Sequence, residues 1–185
     1  MHIGLYGGSF NPPHIGHSLV CHYLLQTTPL EAIWLIPTGR HAFHKTLAPF
    51  EVRVSLCERL AGPFGNRVQV CDIERYGSGA SYTIDTVRTL QHQHPEHSFE
   101  WILGADILGE THKWKDFDLL QELVRFRVLG RQGFPGGDTL AMPEVSSTNI
   151  RERLARGLSV EALVPTGVLE LIQNLGLYRA PTAAP

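Results

Sequence analysis

The sequence predicts an α/β fold: a parallel sheet with helices on both faces, in a single domain that ends in helices. Short apolar runs alternate with longer runs of helical period along most of the chain. Strands separated by helices of that length can pair in parallel only through crossovers. The 185 residues suffice for roughly one domain of the usual ~150 residues and leave little for a second. The expected domain covers residues 1–179, with 180–185 as a tail. The Gly- and Pro-rich stretch from Gln132 to Pro143 is read as a loop inside it.

The strands are read at Ile3 to Tyr6, Ile33 to Ile36, Val68 to Ile73, Phe99 to Leu103 and Phe126 to Leu129, each a short apolar run rich in branched and aromatic residues. Between the first two, Ile15, Leu19, Tyr23 and Leu24 mark an apolar helical stripe. Phe50, Val54, Cys57 and Ala61 repeat at steps of four, three and four and mark a second, while Ile84, Val87 and Leu90 mark a weaker third. A last helix carries Val168, Leu171, Ile172 and Leu175, entered at Pro165 and stopped by Gly176. In a Rossmann-like sheet of this kind, ligands bind beyond the carboxyl ends of the strands, where strand order reverses. Residues just after strands are therefore the place to look for chemistry.

Sixteen Lys and Arg against eighteen Asp and Glu leave a formal charge of −2, which provides no broad basic face for nucleic acid or an anionic membrane. Any phosphate chemistry must be local. No run approaches the ~18 apolar residues of a membrane span, and Met1-His2-Ile3-Gly4 lacks the basic and apolar pattern of a secretion leader. The expected location is the cytoplasm. Cys21, Cys57 and Cys71 are odd in number, far apart and outside any Cys-x-x-Cys pattern, so they read as apolar fillers and not as a disulfide or zinc framework.

The first strand runs into Gly7-Gly8-Ser9-Phe10-Asn11-Pro12-Pro13-His14-Ile15-Gly16-His17. Glycines allow close approach to the main chain, prolines stiffen the turn, and a helix starting here presents N–H groups and its positive dipole end. His14 and His17 stand three apart at the helix start, where imidazole donors suit charge growing on a phosphate. Taken alone, the pair also fits a structural role or two ligands of a metal, although no third protein ligand lies near in sequence. Walker and dinucleotide patterns are absent, and the Gly-x-Ser-x-Gly elbow of a hydrolase is missing because Gly7-Gly8-Ser9-Phe10 is followed by Asn11.

A second segment, Val145-Ser146-Ser147-Thr148-Asn149-Ile150-Arg151, places four cap-forming residues before a helix, with Asn149 and Glu152 spaced as a capping box and Gly157 closing it. A plain helix cap is one reading. Arg151, a forked cation beside hydroxyls, is the argument for a polyphosphate contact. The histidines His92, His94 and His97, flanked by Gln and Pro, read as an exposed turn after a helix and not as a metal site.

Gly8-Ser9-Phe10-Asn11-Pro12, His14-Ile15-Gly16-His17 and Ser146-Ser147-Thr148-Asn149-Ile150-Arg151 together resemble the nucleotidyltransferase superfamily with its His-x-Gly-His signature. Ser81-Tyr82-Thr83-Ile84-Asp85-Thr86, Gly104-Ala105-Asp106, Trp114 and Gly176-Leu177-Tyr178-Arg179 narrow the resemblance to the bacterial nicotinate-mononucleotide adenylyltransferases, over nearly the whole chain. The resemblance implies that the phosphate of nicotinate mononucleotide attacks the α-phosphorus of ATP, giving deamido-NAD and pyrophosphate without a covalent intermediate.

The match implies that His14 and His17 stabilise the transition state, with Arg151 the third catalytic residue. Gly8, Ser9 and Phe10 would give main-chain contacts to phosphates, Ser147, Thr148 and Arg151 would hold the β and γ phosphates, and Gly104 and Asp106 would meet adenosine. Thr83 and Trp114 would hold the pyridine ring, an electron-poor cation suited to an indole face, although Trp114 also fits a core aromatic. His44 and Lys45 resemble part of a phosphate-contacting loop, departing from it at His41-Ala42-Phe43. Arg131 is a further candidate beside the nucleotide, and Lys115 one for a ring carboxylate. Mg2+ is expected on substrate oxygens, with no protein cage. Other acceptors, such as the amide mononucleotide or phosphopantetheine, and a nucleotide-binding sensor without turnover, stand as alternatives.

Overall fold

Five strands form one parallel sheet in the order β3-β2-β1-β4-β5. They are β1 (His2–Gly8), β2 (Ala32–Pro37), β3 (Val68–Val70), β4 (Ser98–Gly104) and β5 (Arg125–Leu129). The computed structural model describes residues 1–39, 47–75, 81–130, 143 and 145–180. The helices are α1 (Ile15–Thr27), α2 (Phe50–Ala61), α3 (Thr83–Gln93), α4 (Phe117–Leu123), α5 (Ser147–Ala155) and α6 (Thr166–Asn174), with 3₁₀ turns at Gly62–Arg67 and Ala105–Lys113.

Strands buried on both faces read as continuous apolar runs, and here alternate residues feed two cores. On one side Ile33 and Leu35 pack with Leu24 of α1, Leu56 and Leu60 of α2, Ile150 of α5, and Val168 and Ile172 of α6. On the other, Ile3, Leu5, Trp101 and Leu103 pack with Ile84, Val87 and Leu90 of α3 and Leu120 of α4. Burying each such side chain contributes roughly 1.5–3 kcal/mol. β3 is shorter than its apolar run because it lies at the sheet edge and pairs only with β2.

Two expectations shift. The buried face of α1 is Val20, Cys21, Leu24 and Leu25, while Leu19 is exposed. With apolar residues at 19, 20, 21, 23, 24 and 25, periodicity alone does not choose a face, and packing against the sheet does. The cap of α5 is Ser146, whose hydroxyl accepts the Asn149 N–H at 3.2 Å; the Asn149–Glu152 spacing is not the capping pair. At the other end of α5, Gly157 takes a φ of 69°, and the Leu158 and Gly157 N–H groups return to Arg153 and Leu154 carbonyls at 2.9 and 3.1 Å. Gly176 closes α6 in the same way, its neighbour Leu177 bonding Ile172 O at 3.0 Å.

Cys21 and Cys57 face each other's core with no exposure, while Cys71 is half-buried. Burial pushes the Cys21 thiol from its ordinary 9.0 up to about 12 and raises that of Cys57 as well. Native protein at pH 8 should therefore expose at most Cys71 to a thiol reagent, and all three only after denaturation. Since both thiols stay protonated in the fold, the stability they carry is complete below pH 9.0 and is lost as pH rises toward the folded values. A urea midpoint that falls from pH 9 upward, and falls less in Cys21→Ala, is the expected result.

Candidate functional site

β1 lies at the point where strand order reverses, with β2 on one side and β4 on the other, so the loops leaving β1 and β4 part there and open a crevice. Its lining includes Gly8, Ser9, Phe10, His14, His17, Thr83, Gly104, Asp106, Trp114, Ser147, Thr148 and Arg151 around a single cavity of 810 Å³. That volume is at the upper end for small-molecule sites. The site residues named from the sequence are thus gathered into one cavity, except Lys115, which does not line it, and His44, Lys45 and Arg131, which lie outside the described residues.

The loop after β1 is held in one shape. Phe10 has a φ of 45°, a left-handed conformation that costs a non-glycine residue about 1–3 kcal/mol. Its ring is buried against Tyr6, edge-on at 5.8 Å, and His17 at 4.9 Å. Asn11 is 2% exposed, and its Oδ1 accepts from the Tyr178 hydroxyl at 2.8 Å and the Ala48 N–H at 3.1 Å. Burial pushes the Tyr178 hydroxyl up to about 12, against the pull of Arg151 and Arg53, so it remains a donor. The two carbonyls that precede prolines are both occupied: Arg151 Nη1 donates to Asn11 O at 2.8 Å, and Ser147 Oγ donates to Pro12 O at 2.8 Å. Those peptide units have no N–H of their own. The start of α5 is therefore bonded directly to the loop before α1, with Arg151 Nη2 donating to Thr148 Oγ1 at 3.3 Å.

His14 caps α1 and its backbone N–H donates to His17 Nδ1 at 3.0 Å. A nitrogen that accepts carries no proton, so a neutral His17 ring has its proton on Nε2. The two rings lie 3.8 Å apart at 33°. Gly16 makes room for this: a Cβ there would meet the His14 ring at 3.0 and 3.1 Å. The N-terminus of α1 itself is less open than the sequence implied, since the Ile15 N–H donates to Leu163 O and the His17 N–H to His14 O, both at 2.9 Å. The imidazoles, not the first-turn amides alone, are what this helix offers an anion.

Across the cavity, Asp106 opens the 3₁₀ turn after β4 and Trp114 follows it. Trp114 is half-buried, 6.1 Å from Phe117 and 6.3 Å from Phe126, so it is both a wall of the cavity and a margin of the core. Lys115 is turned to Asp85 at 3.0 Å and over the Tyr82 ring at 5.0 Å, which corrects its reading as a partner for a ring carboxylate. Glu74, unremarked in the sequence, accepts from Thr86 Oγ1 at 2.7 Å and from the Gly39 N–H at 3.0 Å, tying the loops after β2 and β3 to α3 beside Thr83. Its position directly after a strand was the available signal.

The histidine turn lies apart from this site. His94 and His97 are half-buried beside Trp34, not simply exposed, and Glu96 sits 3.6 and 3.4 Å from them. With His94, Glu96 and His97 brought within 4.8 Å, His92 is left outside. His97 Nδ1 is buried with no partner. A metal on Nε2 would force the ring proton onto that nitrogen, whereas Nε2–H donating to Glu96 leaves only a bare lone pair there. The cluster fits a turn in which the Glu96 carboxylate lies between two histidine rings.

The cytidylyltransferase-like family model matches residues 5–153. A protein of Anaeromyxobacter sp. (strain K), named a probable nicotinate-nucleotide adenylyltransferase, is 48% identical over 96% of both chains. One of the same name from Halalkalibacterium halodurans is 37% identical over 96% of this chain and 91% of its own. In fold, the chain is similar to the nicotinic acid mononucleotide adenylyltransferase of Plasmodium falciparum, solved with NaAD, with a TM-score of 0.82 at 20% identity over 96% and 97% of the two chains.

Because Asn11 Oδ1 satisfies two donors, Asn11→Ala strands both in a buried place. It should lower the unfolding free energy by about 1–3 kcal/mol, read from urea titration. Tyr178→Phe, which removes one donor and leaves Ala48 bonded, should cost less than Asn11→Ala in the same titration.

Proposed function

The chain belongs to the cytidylyltransferase-like family, and from that premise we propose that it is a nicotinate-nucleotide adenylyltransferase: the 5′-phosphate of nicotinate mononucleotide attacks the α-phosphorus of ATP, forming deamido-NAD and pyrophosphate. The observation that carries this reading is the junction of the two helix starts. Arg151 and Ser147 bond the main chain three and two residues before His14, at 2.8 Å each, within one cavity large enough for both substrates. Relatives that bear that name cover 96% and 95% of the chain.

Transfer of this kind needs positioning and charge stabilisation more than covalent help. His17 Nε2–H and His14 donate to the α-phosphate as its charge grows. Gly8, Ser9 and Phe10 meet phosphate oxygens through their main chain, while Arg151, Ser147 and Thr148 hold the β and γ phosphates released as pyrophosphate. Gly104 and Asp106 receive adenosine, the carboxylate suiting the ribose diol. Thr83 and Trp114 receive the pyridine, and His44 and Lys45 remain part of the proposed mononucleotide site. Nucleotidyltransferases of this kind use a divalent metal. Around the phosphate loop the donors named here are neutral or cationic, a set that fits phosphate oxygens and not a protein-held cation, so Mg2+ is proposed to enter on ATP. Consumption of ATP makes the cytoplasm the proposed place of work.

Purified protein given MgATP and nicotinate mononucleotide should release pyrophosphate, with slower release from the amide mononucleotide and none from phosphopantetheine; the reverse preference overturns the acceptor assignment. His17→Ala should lower kcat by about a hundredfold or more with little change in KM, the mark of a donor used in the transition state. Trp114→Ala should raise KM for the mononucleotide about tenfold, the size of a lost ring contact, and leave that for ATP nearly unchanged.

A further inference from the structure

The apolar face of α2 contains one residue that packing does not explain. Arg53 is 1% exposed, on the same side as Val54, Cys57 and Leu60, with its guanidinium over the Phe50 ring at 5.4 Å. It donates, among the described residues, only to main-chain carbonyls: Nη1 to Ser9 O at 3.0 Å, Nε to Ala48 O at 3.0 Å and Nη2 to Gly39 O at 3.4 Å. Among the described residues no carboxylate lies within 4.0 Å of it, while Arg75, Arg125 and Arg127 all have one. A buried cation with no carboxylate in contact is costly; burial draws its proton affinity down, and Glu74, acting from beyond 4.0 Å, offsets this only in part.

The direction of the Ser9–Phe10 peptide gives that cost a purpose. In a trans peptide the C=O and N–H point opposite ways. With the Ser9 carbonyl turned onto Arg53, the Phe10 N–H turns away from it, and both residues line the cavity. The left-handed φ of Phe10 is what permits this orientation. A carbonyl bonded to a cation polarises its own peptide, so the N–H on the far side becomes a stronger donor.

We propose that Arg53 is a positioning residue for the polyphosphate, a buried positive charge whose counter-ion is the bound ligand, transmitted through the Ser9–Phe10 peptide without direct contact. This rests on the reading above that phosphates occupy the loop from Gly8 to Phe10. The ligand thus adds a counter-charge where the protein supplies only the more distant Glu74 carboxylate, and that added attraction favours the occupied state.

Inorganic pyrophosphate with magnesium, titrated calorimetrically into the full chain, is the probe. Arg53→Gln keeps a planar donor and loses the charge; Arg53→Lys keeps the charge and loses the fork. Circular dichroism and thermal midpoints report whether each folds. Arg53→Gln should bind pyrophosphate at least tenfold more weakly than the unaltered protein, while Arg53→Lys stays within about threefold. Lysine should likewise recover KM for ATP more fully than glutamine. Equal weakening in both variants overturns the proposal, since hydrogen-bond geometry would then be the whole role of Arg53. Unchanged affinity in Arg53→Gln overturns it too. Failure of the unaltered protein to bind pyrophosphate or ATP would instead overturn the phosphate reading of the loop itself.

Discussion

Main-chain carbonyl oxygens are poor company for an anion, and the loop after β1 has several of them. Each of four is taken up by a protein donor: Gly8 O by the Thr38 N–H at 2.9 Å, Ser9 O by Arg53, Asn11 O by Arg151 and Pro12 O by Ser147. The remaining architecture can be read as a means of delivering those donors. β2 brings Thr38, α2 brings Arg53 from behind, and α5, though 135 residues away along the chain, is docked by Ile150 in the core so that Ser147 and Arg151 reach the loop.

The same arrangement bears on how a chain with net charge −2 would bind the highly charged substrate proposed for it. Long-range attraction is not needed where cations and polarised amides are fixed within a few ångströms, in a crevice whose floor is Trp101 and Ile36. Preorganised groups of this sort act without reorganising when charge moves. The His17 ring is fixed in the same manner, since the hydrogen bond from the His14 N–H to Nδ1 leaves Nε2 as the nitrogen that carries the proton of the neutral ring.

Much of this was legible in the residues. The strands appeared as apolar runs because both of their faces are covered, and α2 and α6 showed clean stripes because each packs one face only. α4 escaped notice because just one of its residues, Leu120, is fully buried, too few to set a period. The loop after β1 and the α5 start were visible through glycines, histidines and cap-formers, whose chemistry is local. Arg53 and Glu74 were not, because their partners, main-chain groups for Arg53 and the Gly39 N–H and Thr86 hydroxyl for Glu74, are set by the tertiary fold and not by local spacing. Yet Arg53 interrupts an apolar stripe between Phe50 and Cys57, and a charge there asks for an explanation from sequence alone.

Tyr178 stands 167 positions downstream of Asn11, the residue its hydroxyl reaches. Closing so long a span is entropically unfavourable until most other contacts exist. During synthesis, then, the first loop leaves the ribosome almost at once but lacks its last rivet until Tyr178 has emerged. Nascent chains halted earlier would carry both histidines and no finished site, so truncated products of translation would be inert toward nucleotides.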